Sequence, residues 1–126
     1  MAAAPTPLDP NHPILGTWVM QVGNVGCLET YYFRADGTSL VTSFEEVAET
    51  VMEISAKPSR SGFYRWYDKL VKDNGKKDCS GKVSKVGIET TSFIRFLEGG
   101  ERLVLCQSEN LNTCFATMQR MHGTSL

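Results

Sequence analysis

From Ile14 almost to the C-terminus, the sequence runs in short alternating stretches, each stopped by glycine, asparagine, aspartate or proline before it grows long. A side-chain period of two suits strands that bury one face, and turns at such short intervals leave no room for crossover helices between parallel strands. The chain is therefore expected to be all-β, with its strands joined in order as antiparallel hairpins. In the stretch 14–22, Trp18, Met20 and Val22 share one face while Thr17, Val19 and Gln21 share the other. The stretch 27–34 groups Cys27, Glu29, Tyr31 and Phe33, and Ala35-Asp36-Gly37 supplies a hairpin signal leading into 38–43. Residues 44–55 hold enough Glu and Ala for a helix. Ala48, Thr50, Met52 and Ile54 nevertheless alternate with Val47, Glu49, Val51 and Glu53, which predicts a strand.

Further strands are read at the aromatic cluster Phe63-Tyr64-Arg65-Trp66-Tyr67 and in the stretches 88–97, 102–107 and 114–121. Between them, Asp73-Asn74-Gly75-Lys76-Lys77-Asp78 is the most polar segment and is expected at an exposed tip. About eight short strands without a convincing helix predict an up-and-down meander, and closing it into a small barrel removes both exposed edges. An open sandwich is the structural alternative. Residues 14–122 form the single domain. Residues 1–13, with four of the five prolines, are expected as a flexible lead, and residues 123–126 as a tail.

A chain of 126 residues can bury a core of its own. Its net charge of -1 gives no electrostatic footprint for nucleic acid or an anionic membrane, and neither is expected as a partner. No apolar run approaches the ~18 residues of a membrane helix, so a soluble monomer is expected.

The four cysteines, at 27, 79, 106 and 114, include no Cys-x-x-Cys pair, which argues against zinc and thioredoxin-like chemistry. Disulfides or four buried thiols remain. Cys106 and Cys114 flank the loop at 109–112, so a symmetric hairpin sets them opposite one another, within disulfide range. Cys27 is then left to pair with Cys79, after the polar tip. The start, Met1-Ala2-Ala3-Ala4-Pro5-Thr6-Pro7, has no signal-peptide core of its own but looks like the small-residue stretch left when one is cleaved. With the even cysteine count, this predicts a periplasmic or secreted protein whose signal peptide has been removed. A cytosolic protein with free thiols is the alternative.

Gly16-Thr17-Trp18 at the mouth of the first strand, with Arg120 near the end of the last, resembles the lipocalin and calycin superfamily. The resemblance implies structural roles for Gly16, Trp18 and Arg120, with the tryptophan closing the barrel floor and the arginine stacking across it. The wider pattern of Cys27-Leu28-Glu29-Thr30-Tyr31-Tyr32-Phe33, Gly62-Phe63-Tyr64, Asp73-Asn74-Gly75-Lys76 and Asp78-Cys79-Ser80-Gly81 is similar to a family of short lipocalin-like bacterial exported proteins of no settled role. The chain lacks the Thr-Asp-Tyr loop and C-terminal helix of typical lipocalins, and the Arg-x-Tyr pair of fatty-acid-binding proteins.

The leading functional expectation is a non-enzymatic binding protein with a small, mainly apolar ligand inside the barrel. Glu29, Tyr31, Phe33, Tyr64, Trp66 and Arg95 are the candidate ligand-binding residues. Glu29 could anchor a polar group, and Arg95, set among aromatics, a carboxylate. Such a role calls for a continuous apolar cavity of roughly 300 Å³ or more. One alternative is an exported interaction or inhibitor-like module with a filled core that presents the polar tip to a protein partner. Another is an isomerase or hydrolase built around Glu29. No catalytic set, metal site or cofactor is read from the sequence, because it offers neither a nucleophile motif nor an internal histidine cluster.

Overall fold

The computed structural model describes residues 5–23 and 26–122; the alanine-rich start, the centre of the first turn and the expected tail at 123–126 lie outside the described residues. Eight strands follow in order: β1 (Gly16–Val22), β2 (Cys27–Phe33), β3 (Thr38–Ser43), β4 (Glu46–Ile54), β5 (Tyr64–Asp73), β6 (Glu89–Leu97), β7 (Arg102–Cys106) and β8 (Cys114–Met121). Each pairs antiparallel with the next, and β8 returns to β1, so the sheet closes into a barrel. The helical content is two single 3-10 turns, at Glu98–Gly100 and Leu111–Thr113. Residues 46–54 form a strand as the alternation requires; Ala48, Thr50 and Met52 are buried and Val47 and Glu53 are exposed.

Antiparallel register puts side chains of paired residues on the same face, and the inward set follows from it. Trp18 pairs with Tyr31 on one side and Arg120 on the other; Phe33 pairs with Ser39, and Ile54 with Trp66. Ile14, Trp18, Phe33, Met52, Trp66, Ile94, Leu103, Leu105 and Met118 make one buried cluster, each under a tenth exposed. These residues fill the barrel from the end where β1 begins to about its middle. Phe33 and Trp66 meet edge to face at 5.5 Å, and Tyr31 meets Trp66 in the same way at 6.3 Å.

The floor is closed by Trp18 and Arg120. The Arg120 guanidinium lies 4.3 Å from the centre of the Trp18 ring, a cation-π contact worth about 0.5 to 2 kcal/mol. It also donates to the carbonyls of Leu15 (2.8 Å), Gly100 (3.2 Å) and Pro13, while the indole N–H donates to the Ile14 carbonyl at 2.8 Å. Gly16 is at φ +109°, and a Cβ there would sit 3.3 Å from Arg120 Nη1, so the glycine before the tryptophan makes room for the arginine.

Residues 6–13, part of the stretch expected as a lead, run beneath this floor. Leu8 packs against the core and its N–H donates to the Ala35 carbonyl. His12 is buried: Nδ1 accepts from the Ile14 N–H, so Nε2 carries the proton and donates to the Ser55 carbonyl at 3.0 Å. Gly37, at φ +89°, lies so close to Thr6 that any Cβ would collide with the Thr6 carbonyl. Prolines removed the helix and strand options in this stretch, but short apolar residues still gave it a surface to cover.

Both expected bridges are present, Cys27–Cys79 and Cys106–Cys114, and no described cysteine is free. They fit an oxidising environment outside the cytoplasm. Among the described residues no helix is long and apolar enough to cross a membrane.

Candidate functional site

Above the core, the inward residues change from apolar to polar. On β2 the series Phe33, Tyr31, Glu29 climbs towards the open end, and on β5 Trp66 is followed by Asp68 and Leu70. The cavity left there measures about 200 Å³ and is lined by residues of β2 to β6 together with Asp78, Ser84 and Ile88 from the long loop that joins β5 and β6. Among the described residues this cavity falls short of the roughly 300 Å³ expected. The aromatic residues that were to form its walls pack against one another and fill the space instead.

Of the six candidate ligand-binding residues, Glu29 and Tyr31 line this cavity. Phe33 and Trp66 lie beneath them in the core. Tyr64 packs lower still, edge to face with Phe96 at 5.3 Å and with His12 at 5.3 Å. Arg95 is not brought to the group. It sits between the inward Ile94 and Phe96, so the strand period turns it outward, where its guanidinium lies 5.8 Å from the Phe63 ring.

Glu29 is a structural hub. Tyr31 Oη donates to its Oε1 at 2.8 Å, Ser43 Oγ donates to its Oε2 at 2.7 Å, and the Cys79 N–H donates to Ser43 Oγ at 2.9 Å. This chain ties the loop to the barrel wall. Burial, reinforced by the Glu29 charge, raises the Tyr31 phenol well above its usual range, so it stays protonated as the donor.

Three further carboxyls give the mouth its character; the sequence reading expected Asp73 at an exposed tip and did not place Glu46 or Asp68 at the site. Glu46 begins β4 and is only 5% exposed, and its Oε2 has no hydrogen-bond partner. Burial, then its contact with Asp73, pushes its titration up to about 7, against the opposing effect of Ser84. Asp68 is raised to about 6 by burial, with the Thr50 hydroxyl opposing, and its Oδ1 is unpartnered. Asp73 Oδ2 is likewise buried without a partner.

Asp73 owes its place to a bulge. Strict alternation from Leu70 would turn residue 73 outward, but the register slips between Glu49 and Thr50, so that Glu49 faces Lys72, Thr50 faces Leu70, and Asp73 comes opposite the inward Ala48. One extra residue, Val71, thus brings the last carboxylate of β5 into contact with Glu46, beside the cavity rather than in its lining. A reading by alternation had no signal for it.

The loop of residues 74–88 closes over the mouth. It is held by the Cys27–Cys79 bridge, by Asn74 N–H to the Val47 carbonyl, by Glu45 N–H to the Lys77 carbonyl, and by an exchange between Leu70 and residues 87–88. Asp78 folds its tip: Oδ1 accepts from the N–H groups of Ser80 (2.8 Å) and Lys82 (3.0 Å). Among the described residues no lysine, arginine or histidine lines the cavity. Among the described residues no three His, Cys, Asp or Glu side chains converge as metal ligands do.

A larger groove, of about 630 Å³, lies outside the barrel against β1 and β8, between Val19, Leu28 and Phe115. It is an open depression on the outer sheet face, with Arg102 as the one charged group at its edge. No family model, curated protein or solved structure matches this chain. The closed eight-stranded antiparallel barrel fits a lipocalin-like architecture.

Proposed function

We propose that this protein is a non-enzymatic, lipocalin-like binding protein of the periplasm or extracellular space that holds a small ligand in the mouth of its barrel. The observation that carries the reading is the mouth itself, a partly open cavity above a packed aromatic core, lined by apolar side chains and acids and flanked by a loop bonded covalently to the wall. The ligand is smaller than first expected. With about 200 Å³ to fill, below the ~300 Å³ of drug-sized pockets, it has about ten non-hydrogen atoms or fewer. Its apolar part would rest on Tyr31, Leu70 and Ile88. Glu29 suits positioning better than proton transfer, because both its oxygens already accept hydrogen bonds; an isomerase or hydrolase would need one of them free.

Native mass spectrometry of protein purified from its own host tests this reading. The protein is expected to carry a small added mass, and Ala48→Leu, which fills the cavity from β4, is expected to lose it. Bare polypeptide masses for both would remove the binding role.

A second reading is favoured by one observation. Val83, Val86 and Ile88 of the covering loop are each 56% exposed, which suits an interaction module presenting that loop to a protein partner. A mouth that proves empty in the protein from its host would shift the assignment to this reading.

A further inference from the structure

We propose that the rim of the barrel mouth docks on an anionic lipid bilayer, with Phe44, Val83 and Val86 entering the interface and Lys76, Lys77, Lys82 and Lys85 meeting the phosphate headgroups. This does not depend on what the cavity holds.

Phe44 sits in the two-residue turn between β3 and β4 at φ +54°, the left-handed region where a bulky side chain is strained and glycine is the usual choice. Its side chain is left in water, 67% exposed, so the fold gains no burial in return for that strain. A strained aromatic that gives its own fold nothing points to a contact outside the chain.

The loop of residues 74–88 lies against this turn. The Glu45 N–H donates to the Lys77 carbonyl, and the Asn74 side chain donates to the Glu45 carbonyl at 3.0 Å. The loop carries four exposed lysines against one acid, Asp78, whose Oδ1 is taken up by backbone N–H groups of Ser80 and Lys82. Among the described residues none of the four lysines makes an ion pair. Val83 and Val86 stand exposed between them, in a loop that the Cys27–Cys79 bridge holds in place. Val86 shares a shallow surface depression with the exposed Val47, which follows the turn, so loop and turn form one rim.

The net charge of -1 for the whole chain hides the basic character of this rim. Glu29, Glu46 and Asp68 line the cavity and Asp73 lies against Glu46, which leaves Glu45 as the exposed acid of the turn. Lysines interleaved with single apolar side chains suit a bilayer surface, where phosphates attract the charges and the apolar groups reach the acyl boundary. The centre of a protein interface is instead depleted of lysine, and here Lys82 and Lys85 stand inside the apolar run Lys82-Val83-Ser84-Lys85-Val86.

Co-sedimentation of the intact, disulfide-bonded protein with phosphatidylcholine vesicles, with and without about 30% phosphatidylglycerol, tests this. Binding to the anionic vesicles is expected to be at least about tenfold tighter than to the neutral ones and to weaken as salt is raised. The double variants Lys82→Gln, Lys85→Gln and Val83→Ser, Val86→Ser change only exposed residues, and each is expected to cost about tenfold. Phe44→Gly is expected to bind more weakly and yet to unfold at a higher urea concentration, because glycine relieves the strain at φ +54°. No binding to the anionic vesicles, or equal binding to both kinds, overturns the proposal. So does binding that the Val83→Ser, Val86→Ser variant leaves unmoved, which would show adsorption through the lysines alone. Each of these results leaves the rim to the protein partner considered above and the binding role of the cavity untouched.

Discussion

Asp68 shows how one side chain can trade stability for a site. It follows Trp66 on the inner face of β5, and burial lifts its titration from 3.8 to about 6. The folded state therefore binds more protons than the unfolded chain between those values, and stability falls as pH rises from about 4 to about 6, remaining lower above that. Asp68→Asn removes the charge but keeps the shape and the contact with Thr50. Urea denaturation should find the variant more stable than the parent by about 1–3 kcal/mol near pH 8, with the difference vanishing near pH 4. A variant that is less stable at both would mean that the charge is already compensated. At this scale the sequence was partly legible. Alternation alone put Glu29 on the inner face, but its two hydrogen-bond donors come from Tyr31 and from Ser43 on another strand, so its satisfied state needed the register.

Among the elements, the loop of residues 74–88 does most to define the site. Its Asn-Gly turn and its charges marked it as an exposed tip, and Cys79 marked where it would be tied. That Asp78, Ser84 and Ile88 would turn back over the mouth was not legible, because it follows from hydrogen bonds to Ser43, Glu45, Val47 and Leu70. The bulge at Val71 escaped the reading for a similar reason, since a single extra residue leaves the local pattern intact and shifts only the partner strand. The Cys27–Cys79 bridge spans 52 positions, and the chain-entropy model assigns such a closure about 4 kcal/mol. A Cys27→Ser, Cys79→Ser double variant should lose up to about that much in chemical denaturation, and the exchange protection of the Cys79 N–H should fall with it. Unchanged stability and protection would show that the hydrogen bonds hold the loop without the bridge.

For the molecule as a whole, the closed barrel was legible because its causes are distributed. Every strand carries the two-residue period, every junction carries a turn residue, and Trp18 and Arg120 mark the two strands that meet at the seam. The cavity was not, because an interior volume is the small remainder after large side chains pack, and Phe33, Tyr31 and Trp66 take up the space that an open barrel would leave. What results is a barrel filled at the floor and acidic at the mouth. The most direct measurement of that division is a carbon-detected NMR titration of the side-chain carboxyls. Glu46 is expected to titrate at about 7. A Glu46 that titrates in the ordinary carboxylate range would contradict it.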